Sequence, residues 1–243
     1  MKNEYSFSRK LVAEFLGTAF LLATVVGSGI MAESLSAGNL SLALLENTIA
    51  TGAGLVALIL TFGPISGAHL NPAVTVADAT QGGTSWREVP GYVAAQCTGG
   101  LTGICIAHAM FGLKVLQTSS HARSGPSQLL SEFVATFGLL AVIWGCSRAR
   151  PAAVPFAVGA YITAAYWFTA STSFANPAVT LARSFTNTFA GIRPVDAPGF
   201  ILVQLAGALT ATLLFRWLTP SLSRSADDII VPHHAQEAES PHA

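Results

Sequence analysis

The chain repeats itself in units that each hold an odd number of membrane-length segments, and few architectures accommodate such a repeat. "LVAEFLGTAFLL" around Glu14 returns as "LLSEFVATFGLL" around Glu132, "HLNPAVT" ending at Thr75 returns as "FANPAVT" ending at Thr180, and "GYVAAQCTGG" from Gly91 returns as "GFILVQLAGA" from Gly199. The order is kept in both copies. Six apolar stretches, near 11–31, 42–62, 89–111, 129–147, 152–171 and 198–218, reach the ~20 residues that a helix needs to cross a hydrocarbon core. Each half therefore reads as span, span, short Asn-Pro-Ala segment, span. Three spans reverse the chain's side, so the second half enters the membrane from the opposite face. That is an inverted-topology repeat, whose site is expected at the midplane between the halves.

Composition agrees with this environment. Hydrophobic residues make up 51% of the 243 and charged residues 10%, against roughly 25% charged in a soluble domain. The fold class expected is an all-α membrane protein. The first span is too long for the apolar core of a signal peptide and carries Glu14 within it, so it is expected to remain as a span. A net charge of zero gives no support to a nucleic-acid partner, because there is no basic surplus to release counterions. Cys97, Cys105 and Cys146 sit in apolar segments without CxxC spacing and read as small hydrophobes, so no metal site and no cofactor is expected.

Basic residues give the orientation. With both ends cytoplasmic, Lys2, Arg9, Lys10, Arg87, Arg148, Arg150, Arg216 and Arg224 fall inside, and only Lys114, Arg123, Arg183 and Arg193 outside. The expected layout is a cytoplasmic N-terminus over 1–10, one channel domain over 11–218 with repeats at 11–111 and 129–218, and a polar, disordered cytoplasmic tail over 219–243. In that tail, His233 and His234 read as solvated rather than metal-binding. "GGLTG", Gly99 to Gly103, is a small-residue pattern that lets the third span pack closely. His108 in the same span reads as a packing residue.

The Asn-Pro-Ala triplets, Asn71–Ala73 and Asn176–Ala178, have a physical reading of their own. Asparagine is a strong N-cap and proline fits the first helical position, so each triplet opens a short helix. If the two segments re-enter from opposite faces, their N-termini meet at the centre, each with a partial charge of roughly +0.5 that repels cations. The asparagine amides can donate hydrogen bonds to a neutral oxygen there. Irregular backbone at such depth is tolerated only where it lines a wet cavity or is buried in protein. Extended backbone in "GAHL" and "SFA" is expected to offer a ladder of carbonyl acceptors. The residues thus point to a pore for small, neutral, hydroxylated molecules.

Over about residues 8 to 218 the sequence resembles the major intrinsic protein family, the aquaporins and aquaglyceroporins, through its two Asn-Pro-Ala motifs, "SGAHLNPAVT", and the glutamate of "AEF" with its repeat. The resemblance implies six helices plus two half-helices, a homotetramer with one pore per subunit, and a bacterial inner (plasma) membrane location. It implies that Asn71 and Asn176 are central donors, with Pro72, Ala73, Pro177 and Ala178 completing the motifs. Gly67, Ala68, His69, Leu70, Phe174 and Ala175 would line the pore, and Glu14 and Glu132 would brace the re-entrant loops. Such proteins carry a second constriction, which ungapped counting places at Thr51, Ala164, Ser173 and Val179. Most members have arginine where this chain has Val179, so valine removes about five N–H donors and a positive charge. The expected filter is wide, without a bulky aromatic, and passes solutes larger than water: glycerol-like polyols and also arsenous acid, since the missing arginine resembles a bacterial subgroup associated with arsenic resistance. Arg183, one turn beyond Val179, and its counterpart Asp78 would sit in the two vestibules, with pairing to a loop carbonyl or a neighbour as the alternative for Arg183.

Rival readings differ in testable ways. A strict water channel would exclude the larger solutes. A secondary transporter would need coupling-ion ligands, yet besides Glu14 and Glu132 the spans hold only Glu46, near an end. A membrane hydrolase would need a nucleophile and base, and the spans offer neither Ser/His nor paired Asp, so the chain is not expected to be an enzyme.

Overall fold

The computed structural model describes residues 5–219. Lys2, Arg224, His233 and His234, and with them the expected disordered tail from 220 on, lie outside that range. Eight α-helices and one short 3₁₀ turn make up the described residues: α1 (Phe7–Leu35), α2 (Leu40–Ser66), α3 (Pro72–Gln81), α4 (Val89–Met110), α5 (Pro126–Ala149), a turn at Pro151–Ala153, α6 (Val154–Phe168), α7 (Pro177–Arg183) and α8 (Ala197–Leu218). Among them, α1, α2, α4, α5 and α8 are long and apolar enough to cross a membrane. The fifth expected span is shorter: α6 has 15 residues, about 22 Å of helix, and the 3₁₀ turn extends it on one side.

Local chemistry sets the helix ends. The Asn39 side chain caps α2 by accepting from the Leu42 N–H, and Gly67, with φ of 87°, ends it in a left-handed turn. Proline stands in the first turn of α3, α4, α5, α6, α7 and α8, where its missing N–H costs no helical bond.

The repeat predicted from sequence is visible in the packing. α1 lies along α4 and α5 along α8, while α1 with α2 and α5 with α6 form the flanking pairs. Close approach depends on glycines at matching places. A β-carbon on Gly99 would lie 2.3 Å from the Phe15 carbonyl oxygen, and one on Gly207 would lie 2.5 Å from that of Phe133. Gly103 likewise faces the Ala19 carbonyl oxygen, 2.1 Å from where its β-carbon would stand. These positions bring backbones together where no hydrophobic driving force separates helix from lipid tail. His108 is a buried packing residue, as expected, with its two ring nitrogens on the Val115 carbonyl and the Thr186 hydroxyl.

Candidate functional site

Two strands of irregular backbone, 67–71 and 172–176, run into the centre of the bundle and end at the caps of α3 and α7. Their shape departs from the extended ladder expected. Ala68 and Leu70 adopt left-handed φ of 46° and 48°, and Ser173 and Ala175 repeat this at 51° and 49°. Such angles are disfavoured for residues with a β-carbon and persist only where the surroundings fix them.

What fixes them is a buried carboxylate on each side. Glu14 Oε1 accepts from the Ser66 hydroxyl at 2.6 Å and the His69 N–H at 2.9 Å, and Oε2 accepts from the Leu70 N–H at 2.7 Å and the Gln96 amide at 2.7 Å. Glu132 accepts from the Phe174 N–H at 2.9 Å, the Ala175 N–H at 2.9 Å and the Gln204 amide at 2.6 Å. Both glutamates are fully buried. Gln96 and Gln204 also donate to the hydroxyls of Thr75 and Thr180, and these donate in turn to the carbonyls of Asn71 and Asn176. Charge-assisted hydrogen bonds of this kind are about twice as strong as neutral ones. The geometry gives Glu14 and Glu132 loop-holding contacts and puts neither in the cavity lining.

At the centre the two caps cross over. Asn71 Oδ1 accepts from the Ala73 N–H at 2.9 Å, and Asn176 Oδ1 from the N–H groups of Ala178 at 2.9 Å and Val179 at 3.2 Å. Asn71 Nδ2 donates to the Ala175 carbonyl at 2.8 Å, and Asn176 Nδ2 donates to the Leu70 carbonyl at 2.7 Å. Each asparagine thus ties its own helix start to the other repeat's loop. An amide nitrogen has two hydrogens, so each retains one donor. Pro72, Ala73, Pro177 and Ala178 are buried in the helix starts, away from the lumen.

A cavity of about 70 Å³ runs past this junction. At roughly 10–15 Å³ per water by the same measure, it admits a short file of waters or one small polyol. Its walls differ in character. The long helices give one that is mostly aliphatic, with Leu21, Val25, Leu55, Ile59, Val158 and Ile162 beside the hydroxyls of Thr51 and Tyr166; the loops and half-helices carry His69, Asn71, Ser173, Asn176 and Arg183. Among the described residues, the carbonyls of Gly67, Ala68 and His69 and those of Thr172, Ser173 and Phe174 accept no hydrogen bond from the protein. A molecule with hydroxyls on one edge and carbons on the other matches both walls.

Most predicted lining residues meet here, and some do not. Ala68, His69, Leu70, Phe174 and Ala175 border the cavity, together with Thr51, Ser173 and Val179. Gly67 is buried in the turn that closes α2 and stays behind the wall. Ala164 needs correction: it is exposed on the outer face of α6, and Ile162 and Tyr166 face the cavity instead. Counting back from Asn176 misses because two residues along a helix turn the side chain by about 200°, onto the opposite face. Tyr166 Oη lies 3.3 Å from Thr51 Oγ1, so an aromatic stands where a small side chain was expected. Alternation of lining residues at 158, 162 and 166 is the helical signal that would have found it.

The two expected vestibule residues are both buried. Asp78 Oδ2 accepts from the Thr84 N–H at 2.7 Å and the Thr84 hydroxyl at 2.6 Å, and lies 3.6 Å from His69 Nε2. Asp78 therefore buttresses His69 from behind and does not border the cavity. Arg183 does border it. Its Cζ lies 3.4 Å from the centroid of the Phe174 ring, and its Nε donates to the Ala190 carbonyl. Arg123, a residue of the loop between α4 and α5, reaches the same region, with Cζ 5.0 Å from that ring and a hydrogen bond to the Ser171 carbonyl at 3.1 Å. No group of three or more metal-ligating side chains is present among the described residues.

Comparison with known proteins agrees with this geometry. The family described as "Major intrinsic protein" matches residues 1–170 and 148–240. The chain is 57% identical over 216 residues to "Aquaglyceroporin AqpS" of Rhizobium meliloti (strain 1021), covering 89% of this chain and 92% of that one. It is 36% identical to "Aquaporin NIP1-3" of Oryza sativa subsp. japonica, over 86% of this chain and 74% of that one. Its fold is that of the aquaglyceroporin from Plasmodium falciparum, with a TM-score of 0.66 at 20% identity, covering 90% of this chain and 100% of the other. The chain is thus a multi-pass membrane protein of the major intrinsic protein family, whose aquaglyceroporins are channels and not enzymes.

Proposed function

We propose that this chain is a passive channel for water and for small neutral polyhydroxy solutes of the glycerol class. The observation that carries the reading is the cavity with one mostly aliphatic and one hydrogen-bonding wall, crossing the junction of the two asparagine caps. Water alone has no need of an aliphatic wall, whereas a polyol's carbons do. The relative AqpS, whose name describes an aquaglyceroporin, supports the same solute class. Cation exclusion follows from the two helix starts facing one another, each with a positive partial charge, and from the absence of any carboxylate bordering the cavity among the described residues. Both termini are assigned to the cytoplasm on the distribution of arginine and lysine. The molecule is read as one subunit of a homotetramer with its own pore, in the cell's inner membrane.

Arsenous acid belongs to the same chemical class, being neutral and trihydroxy. It would pass without capture, because Cys97, Cys105 and Cys146 all lie away from the cavity. Val179 governs the larger solutes in this reading: it offers no donors and leaves the lumen open where an arginine would close it.

The test is stopped-flow light scattering on proteoliposomes with water, glycerol and arsenous acid, for the wild type and for Val179→Arg. The wild type should pass all three, and Val179→Arg should keep water while losing most glycerol and arsenous acid flux. A wild type that passes only water overturns the polyol reading in favour of a strict water channel. Saturable flux dependent on an ion gradient would indicate a transporter instead.

A further inference from the structure

Arg183 is 2% exposed, yet no carboxylate pairs with it among the described residues. Its Nε is held by the Ala190 carbonyl and its flat face by Phe174, so the guanidinium is fixed in place. Its two terminal nitrogens make no hydrogen bond to the protein among the described residues, and the residue borders the cavity. A buried charge without a partner persists only where water or a ligand solvates it. The lumen is the space available for that.

A second, independent observation lies on the same wall. Ser173 is 3% exposed and borders the cavity, and its hydroxyl is buried with no hydrogen-bond partner. In the first repeat its place is taken by Ala68, which has no hydroxyl, and the place of Arg183 is taken by Asp78, whose carboxylate is held by Thr84. The second-repeat half of the cavity therefore carries unsatisfied donor capacity that the first-repeat half lacks.

We propose that Arg183, with the Ser173 hydroxyl, is a solute-reading site that recognises paired hydroxyl oxygens on a small polyol, one helical turn along α7 from the position where Val179 supplies no donor. The fork of a guanidinium presents parallel N–H groups, a geometry that suits two closely spaced acceptors better than two distant ones. A vicinal diol presents such a pair by fixing one C–C torsion, whereas a 1,3-diol of the same formula must fix two. This inference rests on the channel reading above and goes beyond it by naming the residues that discriminate among the solutes.

The test uses the full-length protein in proteoliposomes and two isomers, propane-1,2-diol and propane-1,3-diol, with the flux through protein-free vesicles subtracted. The wild type should favour the 1,2-isomer by about threefold or more, the scale of one net hydrogen bond. Arg183→Gln and Ser173→Ala should each bring the two isomers closer to parity. Widening of the lumen raises both isomers together, and loss of structure lowers both together, so neither moves the ratio. Ser173→Ala removes a hydroxyl that bonds nothing in the protein, and it decides the matter even where Arg183→Gln fails to assemble. A ratio unchanged by the substitutions in conducting protein overturns the inference and leaves the channel reading standing. A wild type that passes neither diol nor glycerol overturns both.

Discussion

The two halves of the cavity are built from one repeat, and they differ most beyond the junction that they share. On each side a glutamate holds two successive N–H groups of the loop, a glutamine joins it to the half-helix threonine, and an asparagine crosses to the opposite loop. One step further out the copies part. His69, backed by Asp78 and tilted against Tyr92 with ring centroids 5.4 Å apart, has as its counterpart Phe174, which carries the Arg183 guanidinium and meets Phe200 edge-on at 5.4 Å. The Tyr92 hydroxyl donates to the Ser66 carbonyl at 3.0 Å; at the matching Ser171 carbonyl, where Phe200 has no hydroxyl, Arg123 donates instead. The shared part sets the depth and direction of the half-helices, which both repeats require. The divergent part faces whatever enters from that side, so it is where selectivity can differ without disturbing the fold.

If the shared brace is what keeps the loops in their left-handed conformation, breaking it should have the largest effect. Glu14→Leu leaves the His69 and Leu70 N–H groups buried without an acceptor and the Gln96 amide with only the Thr75 hydroxyl, at a cost of roughly 3 kcal/mol or more. Glu132→Leu does the same to Phe174, Ala175 and Gln204, but Glu132 lacks the hydroxyl contact that Ser66 gives Glu14. Thermal unfolding in detergent should show both variants far below the wild type, with Glu14→Leu the lower. Equal stability of either variant with the wild type would remove the glutamates from the account.

The asparagines come next. Asn71→Ala and Asn176→Ala each lose a cap and a bond across the repeats, together about 1–2 kcal/mol. Asn176 Oδ1 accepts two N–H groups where Asn71 Oδ1 accepts one, so Asn176→Ala should be the more damaging. Unfolding temperature and water permeability read side by side would show whether the order holds. The reverse order would mean that the cross-repeat bond, rather than the cap, dominates.

The shared part was legible in the sequence in its local pieces, whereas the bond from each asparagine to the opposite loop, more than a hundred residues away, was not. Asn-Pro-Ala starts a helix wherever it stands, and a glutamate inside an apolar span needs buried donors, so the re-entrant segments and the intramembrane glutamates could be read from letters alone. The divergent part was legible only where a motif gave its register. Ser173 and Val179 lie within three residues of Asn176 and border the cavity, whereas Ala164 lies across an irregular connection and does not. Tyr166 was missed because its role depends on which face α6 turns inward, which the packing of that helix decides. Arg123 was missed for a related reason: a loop residue's reach over Phe174 depends on the fold of two loops at once.

The smallest expected effect concerns the entry to the last helix, where the repeats differ again. Asp196, just before α8, accepts from the Arg193 guanidinium at 2.9 Å and from the Arg123 N–H at 2.9 Å; Glu88, just before α4, makes no side-chain hydrogen bond to cap its helix. Burial alone would raise the Asp196 carboxyl's pKa, but hydrogen bonds from Arg193 and Arg123 outweigh it and hold the group below its ordinary value of 3.8. A depressed folded value means that the contact stabilises fully above the unfolded value and that the contribution is lost as pH falls through the lower, folded one. Unfolding temperature followed from neutral pH into acid should therefore drop more steeply in the wild type than in Asp196→Asn, with the two converging at the acid end. Glu88→Gln should leave the acid limb as it is in the wild type. Parallel curves for the wild type and Asp196→Asn would show that the clamp on the second repeat contributes nothing, and that the two helix entries, unlike in sequence, are equivalent in energy.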